Sequence, residues 1–168
     1  MTSGDDLRQT RLVFYAEDIE KVDKFLKEFL RLSGARCALL IDKEGHHVTK
    51  QGETACYDTD TISALVAASF AATKEMARLL GEDEFSLLFH QGKRENIQLT
   101  LVGDRTILAV IFDEQKTTIG MVRLYAQQSA AHLIEIFRKA KSRPQPEHKI
   151  DKKFTDGAKG KLDELFGS

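Results

Sequence analysis

Two stretches of this chain are apolar without alternation, and they limit its fold more than anything else in it. Cys37-Ala-Leu-Leu-Ile41 and Ile107-Leu-Ala-Val-Ile-Phe112 are short and bounded by turn residues, so each reads as a strand buried on both faces. A sheet built on such strands needs cover on both sides. The other strand candidates are more polar: His46 to Gln51 after the Lys43-Glu-Gly45 turn, Phe85 to Gln91, and Glu95 to Gly103, where Ile97, Leu99 and Leu101 alternate with Gln98 and Thr100. Turns at Gly92-Lys93 and Gly103-Asp104 are short enough for an antiparallel meander. The economical arrangement puts the two apolar strands side by side. It gives an α/β fold with a five-stranded antiparallel sheet in the order 2-1-5-4-3. The third strand then lies on an open edge. Phe85, Leu87, Leu88 and Phe89 have no proline or lysine among them, so this edge is undefended and is expected to pair with its own copy as a dimer interface.

Three helices are expected to supply the cover. From about Glu17 to Leu32, Ile19, Val22, Phe25, Leu26, Phe29 and Leu30 form one stripe. From about Thr117 to Lys141, Ile119, Val122, Ala126, Ala130, Leu133 and Phe137 keep helical spacing behind a Thr117 or Thr118 cap. These two helices are assigned to one face and the helix from Thr59 to Gly81 to the other. That middle helix, with Thr59 or Asp60 as its cap, has two apolar sides. At about 100° per residue, Ile62, Leu65, Val66, Phe70, Met76, Ala77 and Leu80 form a bulky side expected to sit on the sheet. Ala64, Ala68, Ala71 and Glu75 lie opposite, a small side that lets a second backbone approach. A core helix buried inside a monomer is the alternative.

The length of 168 residues suits one domain, and a net charge of -1 gives no bias toward nucleic acid or an anionic membrane. Apolar runs fall far short of a bilayer span, and the start MTSGDDLRQTR is too polar for a secretion signal, so a cytoplasmic protein without membrane insertion is expected. Cys37 and Cys56 are too few for a disulfide scaffold or a zinc site. The chain has no G-x-x-x-x-G-K-[ST], G-x-G-x-x-G or G-x-S-x-G motif. His46 and His47, adjacent on a strand, point to opposite faces and do not suit one metal ion. His90, His132 and His148 lack companion ligands, and Asp42, Asp104 and Asp113 stand at strand ends as turn residues. No cofactor, metal or catalytic constellation is expected, which favours an interaction protein over an enzyme. The composition divides the chain into a domain over 1–141, a linker over 142–153 holding both prolines, and a segment over 154–168. The last reads as a short C-terminal helix with Leu162, Leu165 and Phe166 on one side, either a solvated end or a segment that folds on a partner.

The order and spacing of ARCALLIDKEGHHV, ISALVAASFAATKEMARLLGEDEF, FHQG, TILAVIFDEQ and TTIGMVRL resemble Roadblock-type light-chain domains and, within them, the bacterial MglB proteins. The likeness runs from about Leu12 to Phe137 and includes the closing LDELF. It implies the same sheet between helices, dimerising through the edge strand and the middle helix. It also implies a function. MglB-type proteins activate a Ras-like GTPase, MglA, in bacterial cell polarity and motility, with a cell pole as a place of action. A dimer offers the platform, the C-terminal helix reaches a second surface, and the GTPase switch regions are reshaped without an inserted arginine. Carried onto this chain, the platform is Ala64, Ala68, Ala71 and Glu75 with Arg78, and the tail contact is Leu162, Leu165 and Phe166. Glu75 departs from the small residue expected there, and the tail is richer in lysine and glycine than the family's acidic ending. Arg123 lies within a helix rather than on a mobile loop, which points to a surface or packing role instead of an arginine finger. Two other classes remain: a dimeric scaffold that tethers polarity or motor components without affecting hydrolysis, and a small-molecule sensor of similar layout.

Overall fold

The computed structural model describes residues 16–142, and there the two apolar runs form the centre of the sheet. The elements in chain order are α1 (Ala16–Ser33), β1 (Cys37–Asp42), β2 (His47–Gly52), α2 (Thr59–Leu79), β3 (Leu87–Gln91), β4 (Glu95–Val102), β5 (Thr106–Asp113) and α3 (Ile119–Lys141). The sheet is antiparallel throughout, in the order β2-β1-β5-β4-β3. Cys37 stands opposite Ile111 and Ile41 opposite Ile107, and the side chains of both runs are buried. The expected linker and C-terminal segment lie outside the described residues.

Alternation along the central strands sends neighbouring side chains to opposite layers. Ala38, Leu40, Leu108, Val110 and Phe112 meet Val22, Leu26 and Phe29 of α1 and Val122, Leu133 and Phe137 of α3. Cys37, Leu39, Ile41, Ile107, Ala109 and Ile111 meet Val66 and Phe70 of α2. So α1 and α3 share one face and α2 takes the other. The polar residues of β4 are not left to solvent. Asn96, Gln98 and Thr100 are buried on the α1/α3 side, and Gln98 donates to the Thr100 hydroxyl at 3.3 Å.

Local chemistry sets the element ends. Asp58, rather than Thr59 or Asp60, caps α2: its carboxylate accepts from the Thr61 amide at 3.1 Å and the Thr61 hydroxyl at 2.6 Å. Those bonds hold the Asp58 carboxyl below its ordinary range. Thr118 caps α3 by accepting from the Met121 amide. Asp42 and Asp113 behave as the turn residues their positions announce, each accepting from backbone amides just beyond its strand.

A charged cluster fixes where α2 begins. Arg36 Nη1 lies 2.6 Å from Glu95 and 3.3 Å from the Tyr57 hydroxyl, while Asp113 and Glu53 approach at 3.9 Å. The guanidinium therefore ties β4, β5 and the end of β2 to the loop that leads into α2. From there α2 runs over β1 and β2, leaving the β3/β4 side of its face less covered. Leu88, Ile97 and Leu101 on that side are only partly buried.

Phe70 is the main side chain by which α2 grips the sheet. Phe70→Ala should cost about 3–5 kcal/mol in a urea titration. A loss under about 1 kcal/mol would mean that α2 is held by something else.

Candidate functional site

Viewed down its axis, α2 has three sectors. Thr59, Ser63, Val66, Ala67, Phe70 and Ala77 are buried against the sheet, with the Ser63 hydroxyl satisfied by the Thr59 carbonyl at 2.7 Å. This corrects the expectation that Leu65, Met76 and Leu80 sit on the sheet. They are 63%, 51% and 73% exposed, and Leu79 is 88% exposed. The reason is close approach: small side chains at Ser63, Ala67 and Ala77 let the helix lie near the strands, which turns the largest side chains onto a flank.

That flank is the second sector, formed by Leu65, Ala72, Met76 and Leu79. The third, on the other flank, holds Ala64, Ala71, Glu75 and Arg78, and Ala68 lies between the two; all five are exposed. Glu75 and Arg78 are joined by an ion pair at 3.1 Å. The residues expected to form a platform therefore do share one outward region.

The third sector is bordered by the β1–β2 turn. Gly45 has φ of +100°, and a Cβ placed there would come within 3.1 Å of the Ala64 Cα and 3.7 Å of the Ala67 Cβ. Ala64 is thus small partly because the turn packs against it. His47 Nδ1 to Asp60 at 2.9 Å ties β2 to the first turn of α2, and Lys43 Nζ to Glu84 at 2.8 Å ties the end of β1 to the loop after α2. The glycine of Lys43-Glu-Gly45 is a sequence signal for this turn, but nothing in the sequence says which helix the turn meets.

Because the turn lies on the Ala64 flank, the Leu65/Met76 flank is turned away from it, toward the β3/β4 side of the sheet. Leu88 of β3 and Ile97 and Leu101 of β4 lie on the same face of the sheet as α2 and are partly buried. β3 begins at Leu87, so Phe85 precedes the strand instead of lying in it, and all four of Phe85, Leu87, Leu88 and Phe89 are half-buried. Phe89 stacks on Phe112 at 6.1 Å on the α1/α3 side, while Leu88 joins the α2 side. Among the described residues no strand pairs with the outer edge of β3. The opposite edge, β2, is more polar, carries Lys50 and pairs with β1 through a bulge. Among the described residues β3 is thus the less defended edge.

Other candidates fall away from this surface. Arg123 is exposed on α3, across the sheet from α2. His46 and His47 take different partners, Asp42 and Asp60. The donor atoms of Asp42, Glu44 and His46 lie within 4.8 Å of one another, on a turn already explained by the Asp42 bonds to the Glu44 and His46 amides. Burial pushes the Cys37 thiol up to about 12, whereas Cys56 is exposed. Leu162, Leu165 and Phe166 lie outside the described residues.

Comparison with known proteins agrees with this fold. Residues 21–112 match the Roadblock/LC7 domain. MglB of Myxococcus xanthus is 34% identical over 71% of this chain and 96% of its own, with a TM-score of 0.68. An MglB described as having a tetrameric arrangement is 36% identical over 77% of this chain and 96% of its own, with a TM-score of 0.73. The gliding protein MglB of Thermus thermophilus is 34% identical over 76% of this chain and 96% of its own, with a TM-score of 0.71. No curated protein matches by sequence.

Gly45→Val tests the contact between turn and helix. Its strained backbone and the clash with Ala64 should lower stability by about 1–3 kcal/mol in urea. An unchanged midpoint would show that the turn does not press on α2.

Proposed function

We infer a function from one premise: this chain belongs to the Roadblock/LC7 domain family. On our reading it is a homodimeric activator of a small Ras-like, MglA-type GTPase, acting in the cytoplasm in bacterial polarity or motility. It carries no catalytic site of its own. The observation that supports this best is the division of α2 into two exposed flanks with different chemistry.

The Leu65/Met76/Leu79 flank is turned toward the β3 side of the sheet, and a second copy related by a two-fold axis can cover it together with the outer edge of β3. Pairing the β3 edges joins the two sheets, and the apolar flanks of the two α2 helices then meet above the join. Ala64, Ala68, Ala71, Glu75 and Arg78 stay outside that contact as a shallow surface with room for another backbone. A GTPase switch region held there would be reshaped so that its own groups align for hydrolysis. The relative described as tetrameric supports self-association within the family. Among the described residues no helix is long and apolar enough to cross a membrane.

Activation is measured by mixing the protein with its cognate GTPase and timing phosphate release. Acceleration is expected, together with tighter binding of the GTP form than of the GDP form; binding indifferent to nucleotide would make the protein a scaffold. Ala71→Arg should abolish both binding and acceleration while leaving the urea midpoint in place. If the variant unfolds instead, the small flank is core. Met76→Glu should yield a folded monomer in sedimentation equilibrium, and a dimer that survives it would place the interface elsewhere. Arg123→Ala should leave hydrolysis unchanged, whereas loss of an arginine finger costs on the order of 10³ in rate.

A further inference from the structure

A second patch of exposed apolar side chains lies on the far side of the molecule, on the seam between α1 and α3. Phe25 stacks on His132 at 5.2 Å, and Thr117 donates to the Ser33 carbonyl, so the two helices run antiparallel with the end of α1 beside the start of α3. In that register Leu32, two turns beyond Phe25, comes beside Tyr125, two turns before His132. Leu32, Met121 and Leu124 are exposed and Tyr125 is half-buried, with Arg31 close by. Met121, Leu124 and Tyr125 follow helical spacing on one side of α3, so the register makes them, with Leu32, one apolar patch along the seam.

One occupant is within reach. The chain leaves α3 at Lys141, and residues 143–168 follow. Leu162 is twenty residues past Ser142, a reach of roughly 66 Å when extended. The return along α3 from Lys141 to Leu124 is only about 26 Å. Leu162, Leu165 and Phe166 have the spacing of a single apolar side, the pattern of a segment that folds onto an apolar patch. The α2 flank is a worse fit, since it lies across the sheet from α3, where the segment begins.

We propose that residues 154–168 park in the α1–α3 seam of their own chain, with Leu162, Leu165 and Phe166 against Leu32, Met121 and Leu124. The proposal adds regulation to the tail contact of the GTPase reading. The same three side chains cannot occupy the seam and a partner at once, so parking opposes capture of the GTPase. The docked segment is intramolecular, which makes even a weak contact effective.

The test needs no GTPase, so it can fail while the activator reading stands, and the reverse. Hydrogen exchange is compared between the full-length protein and a full-length variant carrying Leu165→Asp and Phe166→Asp. Amides of Glu28–Ser33 and Met121–Gln128 should exchange about tenfold faster in the variant, with Thr59–Leu79 unchanged. Leu32→Glu, at an exposed position, should produce the same loss around Met121–Gln128. Equal exchange in all three proteins would overturn the proposal. So would a change confined to α2 or β3, or one that disappears on dilution, which would assign the tail to another copy.

Discussion

The arrangement depends on a mismatch of widths. β1 and β5 are apolar on both faces and cannot fold without cover above and below. Five strands at about 4.8 Å spacing span roughly 24 Å, whereas one helix is about 10–12 Å across. On one face α1 and α3 together are wide enough. On the other, α2 stands alone: Leu99 of β4 is buried with Val66 and Phe70, while Leu88, Ile97 and Leu101 are only partly buried. The apolar surface bordering them is therefore built into a layout of two helices against one.

Much of this layout is legible in the residues alone. The unbroken apolar runs Cys37–Ile41 and Ile107–Phe112 specify the central pair, and the short turns between β3, β4 and β5 leave one strand order that places β3 at an edge. Other features cannot be read in this way. Helical periodicity identifies an apolar stripe but does not say whether it faces the chain's own sheet or another molecule, which is why Leu65, Met76 and Leu80 read as inward from spacing alone. The buried line of α2 is inconspicuous because it is made partly of Thr59, Ser63, Ala67 and Ala77, chosen for size more than hydrophobicity. The cluster around Arg36 leaves no sequence signal because its members, Glu53, Tyr57, Glu95 and Asp113, are scattered along the chain and meet only through the topology. Gln98 and Thr100 have the pattern of a solvent-facing row, and α3 covers them.

The candidate site follows from how α2 is held. Phe70 and Val66 press it to the sheet, the Arg36 cluster fixes the loop that leads into it, and the Gly45 turn props the Ala64 flank. These restraints turn one flank toward the β3/β4 side of the sheet and the other toward the β1–β2 turn, and both stay exposed. A helix constrained in this way can serve two neighbours without changing conformation, one by apolar area and the other by a shallow surface of alanine with a single ion pair. The same economy accounts for the bare edge of β3, whose backbone groups and adjoining apolar side chains point to the same occupant.

The central claim is that a second copy covers the outer edge of β3 and the adjoining flank of α2. Its most direct measurement is backbone amide exchange along Leu87–Gln91 in the unmodified protein over a range of concentrations. If the account is right, the outward-pointing amides exchange slowly in concentrated solution and speed up on dilution, in step with the change in sedimentation. Fast exchange at every concentration, from a protein that sediments as a monomer throughout, would contradict it.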